Sequence, residues 1–181
     1  MKVIETNLKG CYIIEPKIFE DKRGYFFESF NNDKFNELIS SNIKFIQDNE
    51  SFSSKGVLRG LHYQRGEFAQ AKLVRVVKGS VLDVAVDLRK NSPTFGEHFK
   101  IELNEYNKMQ LFIPRGFAHG FLVLSETAIF SYKCDNLYNK ESEGGIIFND
   151  PELNINWQMQ DEELIISEKD IVLPPLKNAQ L

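Results

Sequence analysis

The sequence is poor in cysteine and has no long apolar run. Its two cysteines, Cys11 and Cys134, are far apart and form no C-x-x-C pair. This spacing supports neither a disulfide framework nor a zinc site, so we expect two free, buried thiols. No stretch approaches the roughly 18 apolar residues of a membrane-spanning helix, and residues 1–16 lack the apolar core of a signal peptide. We therefore expect a cytoplasmic protein with no membrane partner.

The sequence also lacks a basic surplus and any internal repeat. Lys and Arg number 22 against 26 Asp and Glu, a formal net charge of −4. Because nucleic-acid binding normally requires a basic excess, we expect no nucleic-acid partner. A negative net charge is still compatible with a small phosphorylated ligand held by a few arginines. No linker or low-complexity tract divides the 181 residues, of which 42% are hydrophobic. Length and composition predict one domain that spans residues 1–181.

Short runs rich in Val, Ile, Phe and Tyr recur between Gly, Asn, Asp, Lys or Pro, a pattern typical of an all-β sandwich or barrel. Strands are predicted at 11–15, 25–30, 44–53, 57–64, 71–78, 80–88, 97–103, 109–113, 119–124 and 127–133. One helix is predicted over 32–40, with Asn31 or Asn32 as its N-cap and Phe35 on its apolar side. A second short helical piece is predicted at 161–164.

The stretch VLRGLHYQ, residues 57–64, is unusually rich in chemistry for a predicted strand. Regular alternation would place Arg59 on one face and Gly60, His62 and Gln64 on the other. A histidine with space and a polar neighbour beside it on the inner face of a barrel has the properties of a general base. We therefore expect His62 to belong to a functional site.

The following strands have a clear period of two. Lys78-Gly79-Ser80 predicts a tight turn, and residues 81–88 then alternate between an apolar face and a face that carries Asp83 and Asp87. We expect the apolar face to belong to the core.

The stretch IPRGFAHGF contains Pro114, Gly116 and His119, which match the second signature block of the cupins, P-x-G-x-x-H. By this resemblance the sequence is identified as a member of the cupin superfamily. The resemblance implies an all-β, cupin-type jelly-roll barrel with one or two short helices.

The first cupin block, whose histidines and glutamate normally bind a metal, is altered here. His62 is followed by Gln64 rather than by a second histidine, and Lys72 stands where a metal cupin has its glutamate. A lysine ammonium repels a metal cation, and two histidines are fewer than the three protein ligands of a usual catalytic zinc site. We therefore expect no metal and no cofactor, with Lys72 supplying the positive charge instead.

Five motifs in order, DKRGYFFES, QDNESFSSKGVLRGLHYQ, AKLVRVVKGSVLDVAVDLRKNSPTFG, IPRGFAHGF and SEGG, narrow the resemblance. Together they resemble the dTDP-4-dehydrorhamnose 3,5-epimerases over nearly the whole chain. The resemblance implies isomerisation of a dTDP-sugar, dTDP-4-keto-6-deoxyglucose, at the two carbons that flank its ketone, on the route to dTDP-L-rhamnose. It also implies a homodimer.

The reaction needs a base on one face of the sugar, a positive group at the ketone oxygen and an acid on the other face. The resemblance assigns the base to His62 and places the carboxylate that orients it at Asp170. From the residues alone, Asp83 is equally eligible as that carboxylate. Lys72 would face the developing enolate.

The acid has two candidates. The resemblance assigns it to Tyr132, and Tyr138 is either a competing acid or a stacking partner of the substrate. His119 would hydrogen-bond the sugar or its ketone, with Asp83 as a possible partner.

The remaining predicted contacts also come from the resemblance. Positive groups at Arg23, Arg59 and Lys169 would bind the diphosphate or nucleotide, since guanidinium pairs well with phosphate. Polar substrate contacts are predicted at Glu28, Gln47, Asn49 and Glu143. Phe19 and Arg23 would lie on an N-terminal hairpin that reaches the neighbouring subunit.

Three alternatives remain open from the sequence. The enzyme could invert only one carbon of a related dTDP-4-keto-deoxysugar. A cupin could also bind a sugar nucleotide without turnover. A metal-dependent cupin oxygenase is the third reading.

Overall fold

The structure is a computed structural model that describes all residues, 1–181. Its regular secondary structure is mostly β-strand with only two α-helices, which confirms the predicted all-β class. The strands are β1 (Lys2–Glu5), β2 (Tyr12–Glu15), β3 (Ile18–Asp21), β4 (Gly24–Phe27), β5 (Gln47–Ser54), β6 (Val57–Gln64), β7 (Lys72–Lys78), β8 (Ser80–Asp87), β9 (His98–Asn104), β10 (Gln110–Ile113), β11 (Phe117–Val123), β12 (Thr127–Cys134), β13 (Glu143–Gly145) and β14 (Ile165–Ile166). The α-helices are α1 (Asn32–Leu38) and α2 (Glu168–Ile171). None of the helices combines the length and the apolar character needed to cross a membrane.

Two main sheets contain most of the strands. The first has the order β1-β2-β10-β7-β12-β5, and the second has the order β13-β6-β11-β8-β9. Neighbouring strands are antiparallel except β14, which pairs parallel with β6. A two-stranded hairpin, β3 with β4, stands apart from both sheets.

Inward-facing side chains of both sheets form the central core. Val74 and Phe130 of the first sheet pack with Ala85 and Phe121 of the second in one apolar cluster. Each fully buried side chain of this kind contributes about 1.5–3 kcal/mol to folding. The rings of Phe121 and Phe130 stack with centroids 4.2 Å apart, so the two sheets are held face to face at this position.

Strand β8 confirms the predicted alternation, but both of its faces are buried. Leu82, Val84 and Val86 pack in a second cluster that contains Trp157 and other residues of the C-terminal segment. The opposite face carries Asp83 and Asp87, whose exposed fraction is 0%.

Helix α1 confirms the predicted first helix, although it ends at Leu38. The Asn31 side chain accepts a hydrogen bond from the Lys34 N–H and caps its first turn. Phe35 is fully buried and packs edge to face against Phe112 of β10. The helix therefore covers the outer face of the first sheet.

Strand β6 contains one extra residue relative to its partner β11, so the predicted alternation of its side chains between the two faces is wrong. His62 pairs with His119 and Arg59 pairs with Phe121, so three steps on β6 match two steps on β11. The extra residue of this β-bulge is Gly60, which places Arg59 and His62 on the same face. A Cβ at Gly60, where φ is +131°, would lie 2.6 Å from the Cα atom of Gly120.

The sequence pattern predicted neither the short strands β13 and β14 nor the one-turn helix α2. Strand β13 has only three residues, two of them glycine, and β14 has two residues. Helix α2 has one turn and is capped by Ser167, whose hydroxyl accepts from the Asp170 N–H. The helical piece predicted at 161–164 is present as a 3₁₀ turn at Asp161–Glu163. Cys11 and Cys134 are free and buried, as predicted.

Candidate functional site

A cavity of about 810 Å³ lies along the inner faces of β5, β6, β7 and β12 and is bordered by α2. Most of the residues predicted for a functional site line it. These residues are Gln47, Asn49, Arg59, His62, Lys72, His119, Tyr132, Tyr138, Glu143, Lys169 and Asp170. The cavity therefore collects side chains from distant parts of the chain, as a binding or catalytic site requires.

His62 and Asp170 form the central pair of the cavity. His62 Nε2 lies 3.1 Å from Asp170 Oδ1, and Asp170 Oδ2 accepts a hydrogen bond from the Gly60 N–H at 3.2 Å. Burial opposes ionisation of Asp170, but hydrogen bonds from His62, Gly60 and Ser167 hold its pKa below the ordinary value. Asp170 is thus a carboxylate that fixes one side of the His62 ring.

The other ring nitrogen of His62 is free. Nδ1 is buried and has no hydrogen-bond partner, and the nearest carboxylate oxygen, Glu143 Oε1, lies 3.9 Å away. A neutral imidazole held at Nε2 by a carboxylate carries its proton there and presents a lone pair at Nδ1.

Glu143 is held away from His62 by two other side chains. It accepts from Lys169 Nζ at 2.7 Å and from the Tyr138 hydroxyl at 3.0 Å. Burial opposes ionisation of Glu143, yet the hydrogen bonds from Lys169 and Tyr138 lower its pKa. The hydrogen bond to Glu143 also raises the pKa of Tyr138. The Tyr138 proton is therefore engaged with a carboxylate, and its side chain is largely exposed.

Lys72 and Tyr132 lie on the neighbouring strands β7 and β12 and line the same wall of the cavity. Lys72 Nζ lies 5.9 Å from the centre of the Tyr132 ring. Burial lowers the pKa of Lys72, an effect that nearby Cys134, Asp83 and Glu143 oppose. Burial also raises the pKa of Tyr132. The site thus offers a desolvated ammonium group beside a phenol that keeps its proton.

His119 has its own carboxylate partner. His119 Nε2 lies 2.9 Å from Asp83 Oδ2, and both side chains are at least nine-tenths buried. The structure therefore pairs Asp83 with His119 and Asp170 with His62. From the residues alone, either carboxylate could have been the partner of His62. No group of three His, Cys, Asp or Glu side chains is arranged to hold a metal ion.

Strand β5 contributes a row of polar side chains that the sequence analysis recognised only in part. Gln47 Nε2 donates to Asn49 Oδ1 at 3.0 Å, and Arg59 Nε donates to Ser53 Oγ at 3.2 Å. Ser51 lies between them and also lines the cavity. In QDNESFSS, uncharged polar residues at 47, 49, 51 and 53 alternate with acidic or apolar residues at 48, 50 and 52, and this period of two was the available signal for Ser51.

Other cavity residues were also missed. Cys134 accepts a hydrogen bond from Asn49 Nδ2 at 3.8 Å, and Ser167 and Gln70 line the wall. A cysteine that ends an apolar strand gives no sequence signal of a site. Ser167 becomes recognisable only through its cap on the turn that carries Asp170.

Three predicted residues do not line the cavity of this chain. Phe19 and Arg23 lie on the β3–β4 hairpin, where Phe19 is 53% exposed and Arg23 forms a double hydrogen bond with Asp21. Glu28 follows the hairpin and pairs with Lys34 Nζ at 2.9 Å. The hairpin also exposes Phe26, by 70%.

Comparisons with known proteins show which family this chain resembles over its whole length. A family model described as dTDP-4-dehydrorhamnose 3,5-epimerase matches residues 5–178. The chain is 54% identical over 182 residues to the dTDP-4-dehydrorhamnose 3,5-epimerase of Salmonella typhimurium, covering 100% of this chain and 98% of that protein.

Two solved structures are also similar. The first, the dTDP-4-dehydrorhamnose 3,5-epimerase of Elizabethkingia anophelis, has a TM-score of 0.95 and 60% identity and covers 98% of this chain and 97% of that chain. The second, a dTDP-6-deoxy-D-glucose-3,5-epimerase of Legionella pneumophila in complex with dTDP-4-keto-L-rhamnose, has a TM-score of 0.94 and 48% identity. It covers 98% of this chain and 93% of that chain.

Proposed function

Because the chain belongs to the dTDP-4-dehydrorhamnose 3,5-epimerase family, we propose that its cavity binds a dTDP-4-keto-6-deoxyhexose and that His62, Lys72, Tyr132 and Asp170 carry out the proton transfers. The protein is an isomerase that acts on this sugar nucleotide at carbons 3 and 5. The observation that carries the residue assignment is the His62–Asp170 pair, in which one ring nitrogen is held and the other is free.

The base is Nδ1 of His62. Asp170 holds Nε2, so the lone pair of Nδ1 faces the cavity and removes a proton from the carbon next to the ketone. The Asp170 carboxylate then stabilises the imidazolium that forms. A positioned base of this kind contributes about 10²- to 10⁴-fold to the rate.

Lys72 stabilises the enolate that proton removal creates. Its ammonium group lines the cavity and forms no salt bridge within the chain, so it is available to the ketone oxygen of the substrate. This charge performs the role that a metal would have in other cupins, and we propose that the reaction proceeds without a metal or cofactor. His119, whose Nε2 is held by Asp83, adds a hydrogen bond to the sugar, with Nδ1 as the acceptor.

Tyr132 returns a proton on the face opposite His62. Its raised pKa keeps the phenol protonated, and its hydroxyl forms no hydrogen bond within the chain. Tyr138 is the weaker candidate because its hydroxyl already donates to Glu143 and its side chain is 55% exposed. We assign Tyr138 to contact with the nucleotide at the mouth of the cavity.

Substrate binding is completed by polar and positive side chains around the cavity. Arg59 and Lys169 bind the diphosphate, while Gln47, Asn49 and Glu143 contact the sugar or nucleotide.

We further propose a homodimer in which the β3–β4 hairpin reaches the partner's cavity. This proposal is supported by the hairpin's separation from both sheets and by its exposed aromatic rings, Phe19 and Phe26. Phe19, Arg23 and Glu28 would then serve the neighbouring site.

The finer description of the fold is also a proposal. We infer a single cupin domain over residues 1–181 with a jelly-roll barrel, supported by the two facing sheets and their common core. The cytoplasmic location predicted from the sequence stays a prediction.

The test follows product formation from dTDP-4-keto-6-deoxyglucose in D₂O by NMR, with label read at each carbon. In His62→Ala no proton is removed, so both epimerisation and deuterium uptake should stop. In Tyr132→Phe, His62 still exchanges a proton on its own face, so deuterium should enter without full inversion. Exchange that survives in His62→Ala and is abolished in Tyr132→Phe would reverse the two roles.

The same assay separates the alternatives. Label at one carbon only would identify a mono-epimerase, and no label at all in the wild type would identify a binding protein without turnover. Normal inversion in Tyr132→Phe together with its loss in Tyr138→Phe would move the acid to Tyr138.

A further inference from the structure

The inward face of β5 carries four polar side chains at alternate positions. Gln47 and Asn49 hydrogen-bond to each other, and Ser53 accepts a hydrogen bond from Arg59. Ser51 is the exception. Its Oγ is buried and has no hydrogen-bond partner, although the residue lines the cavity.

An unpaired buried hydroxyl destabilises a folded chain, and most buried polar atoms therefore have a partner. Only two other side-chain atoms are in this state, His62 Nδ1 and Asp83 Oδ1. His62 lines the same cavity as Ser51, and in the proposed reaction the partner of its Nδ1 comes from the substrate. The same reasoning gives Ser51 Oγ a partner on the substrate.

The position of Ser51 indicates which part of the substrate this partner is. Asn49 lies opposite Tyr132 in the β5–β12 register, and Ser51 is the next inward residue along β5. The inward residue after that, Ser53, holds Arg59. Ser51 therefore lies between the proposed proton donor and the proposed diphosphate contact.

The substrate has a matching order of groups. Carbon 1 carries the diphosphate, carbon 3 is a reacting centre, and carbon 2 lies between them and bears a hydroxyl. This hydroxyl both donates and accepts a hydrogen bond, as a serine hydroxyl does. The other path, from carbon 1 to carbon 5, contains only the ring oxygen.

We propose that Ser51 is a specificity residue whose Oγ hydrogen-bonds the 2-hydroxyl of the hexose. This inference rests on the proposed function, because it takes the orientation of the substrate from Arg59 and Tyr132. It adds a contact that selects sugars with a hydroxyl at carbon 2 over 2-deoxy sugars.

The proposal predicts opposite effects of Ser51→Ala on stability and on activity. Removing an unpaired buried hydroxyl should raise the Tm of the free protein, whereas losing the substrate contact should lower kcat/KM by about two- to tenfold, the range of one neutral hydrogen bond. The Kd for dTDP alone, which has no hexose, should be unchanged. Ser54→Ala, an exposed serine on the opposite face of the same strand, is the matched control and should change none of these values.

A substrate analogue without the 2-hydroxyl completes the test. Wild type and Ser51→Ala should process this 2-deoxy analogue with the same kcat/KM. Equal kcat/KM of the two proteins for the normal substrate would overturn the proposal. A Kd for dTDP that is weakened as much as kcat/KM would place the contact on the diphosphate and would also overturn it.

Failure of the proposed function is distinguishable from failure of this inference. If the wild-type protein neither exchanges deuterium nor epimerises the substrate, the proposed function is wrong. If the wild type is active and Ser51→Ala is indistinguishable from it, only the role of Ser51 is wrong.

Discussion

Replacing Asp170 with asparagine should impair catalysis more than removing its side chain. One carboxylate oxygen accepts from the Gly60 N–H at 3.2 Å, and the other faces His62 Nε2 at 3.1 Å. In Asp170→Asn the Gly60 N–H still requires an oxygen, so the amide NH₂ turns toward His62. Nε2 must then accept a hydrogen bond, which moves the ring proton to Nδ1 and removes the basic lone pair from the cavity.

The magnitude follows from two losses. The charge-assisted hydrogen bond to the imidazolium is worth about 1.5–3 kcal/mol. In the productive tautomer of the asparagine variant, the Nε2–H of His62 would also face the amide NH₂, and this contact between two donors costs about 1–3 kcal/mol more. A total of about 4 kcal/mol corresponds to about a 10³-fold lower kcat. Asp170→Ala loses only the first contribution, which corresponds to about a 10- to 150-fold decrease.

The assay measures deuterium uptake and product formation for both variants at saturating substrate, with thermal unfolding as a control for folding. We expect both activities to fall together, and further in Asp170→Asn than in Asp170→Ala. An asparagine variant that equals or exceeds the alanine variant would refute control of the ring tautomer by Asp170. Two variants close to wild type would remove Asp170 from the mechanism.

Three further predictions concern Lys72, Asp87 and metal removal. Burial lowers the pKa of Lys72 and raises that of Tyr132, so the alkaline loss of kcat/KM should follow deprotonation of Lys72 and begin below the ordinary lysine pKa. Lys72→Arg should move this loss to higher pH, and an unmoved pH profile would assign it to another group. Burial opposes ionisation of Asp87, but hydrogen bonds from Arg89, Ser92 and Thr94 lower its pKa. Asp87→Asn should therefore reduce the free energy of unfolding in urea at pH 7 by about 2 kcal/mol, within the range of hydrogen bonds to a charged group. That difference should disappear as the pH falls from the ordinary Asp pKa through the lowered one; a loss below about 0.5 kcal/mol at pH 7 would contradict it. Exhaustive chelation should leave kcat unchanged, and activity that is lost and then restored by one equivalent of metal would end the metal-free proposal.

Much of the fold could be predicted because it depends on local patterns. The alternation in residues 81–88, the turn at Gly79 and the cap at Asn31 are each encoded within a few neighbouring residues, and the structure confirms them. The β-bulge at Gly60 has no such local signal. It depends on the close approach of Gly120 from β11, so regular alternation was the wrong expectation.

The residues of the candidate site also differ in how far the sequence could predict them. His62 was indicated by its own residue type and neighbours, and Lys72 and Tyr132 were assigned through the family resemblance. The fold brings all three into one cavity. The choice between Asp170 and Asp83 required the structure, since it depends on how the one-turn helix α2 packs against β6. The role proposed for Arg23 would require a second chain, which the fold of one chain does not supply.

Gly60 has a consequence for engineering this enzyme. Its N–H holds Asp170, its insertion aligns Arg59 with His62, and its Cα packs on the strand that carries His119. Libraries for altered substrate range are commonly built on pocket side chains, and a residue that has no side chain is absent from such libraries. A designer who grafts this site onto another barrel must therefore transfer one backbone irregularity before any catalytic side chain, because without it the grafted residues would face different sides of the strand.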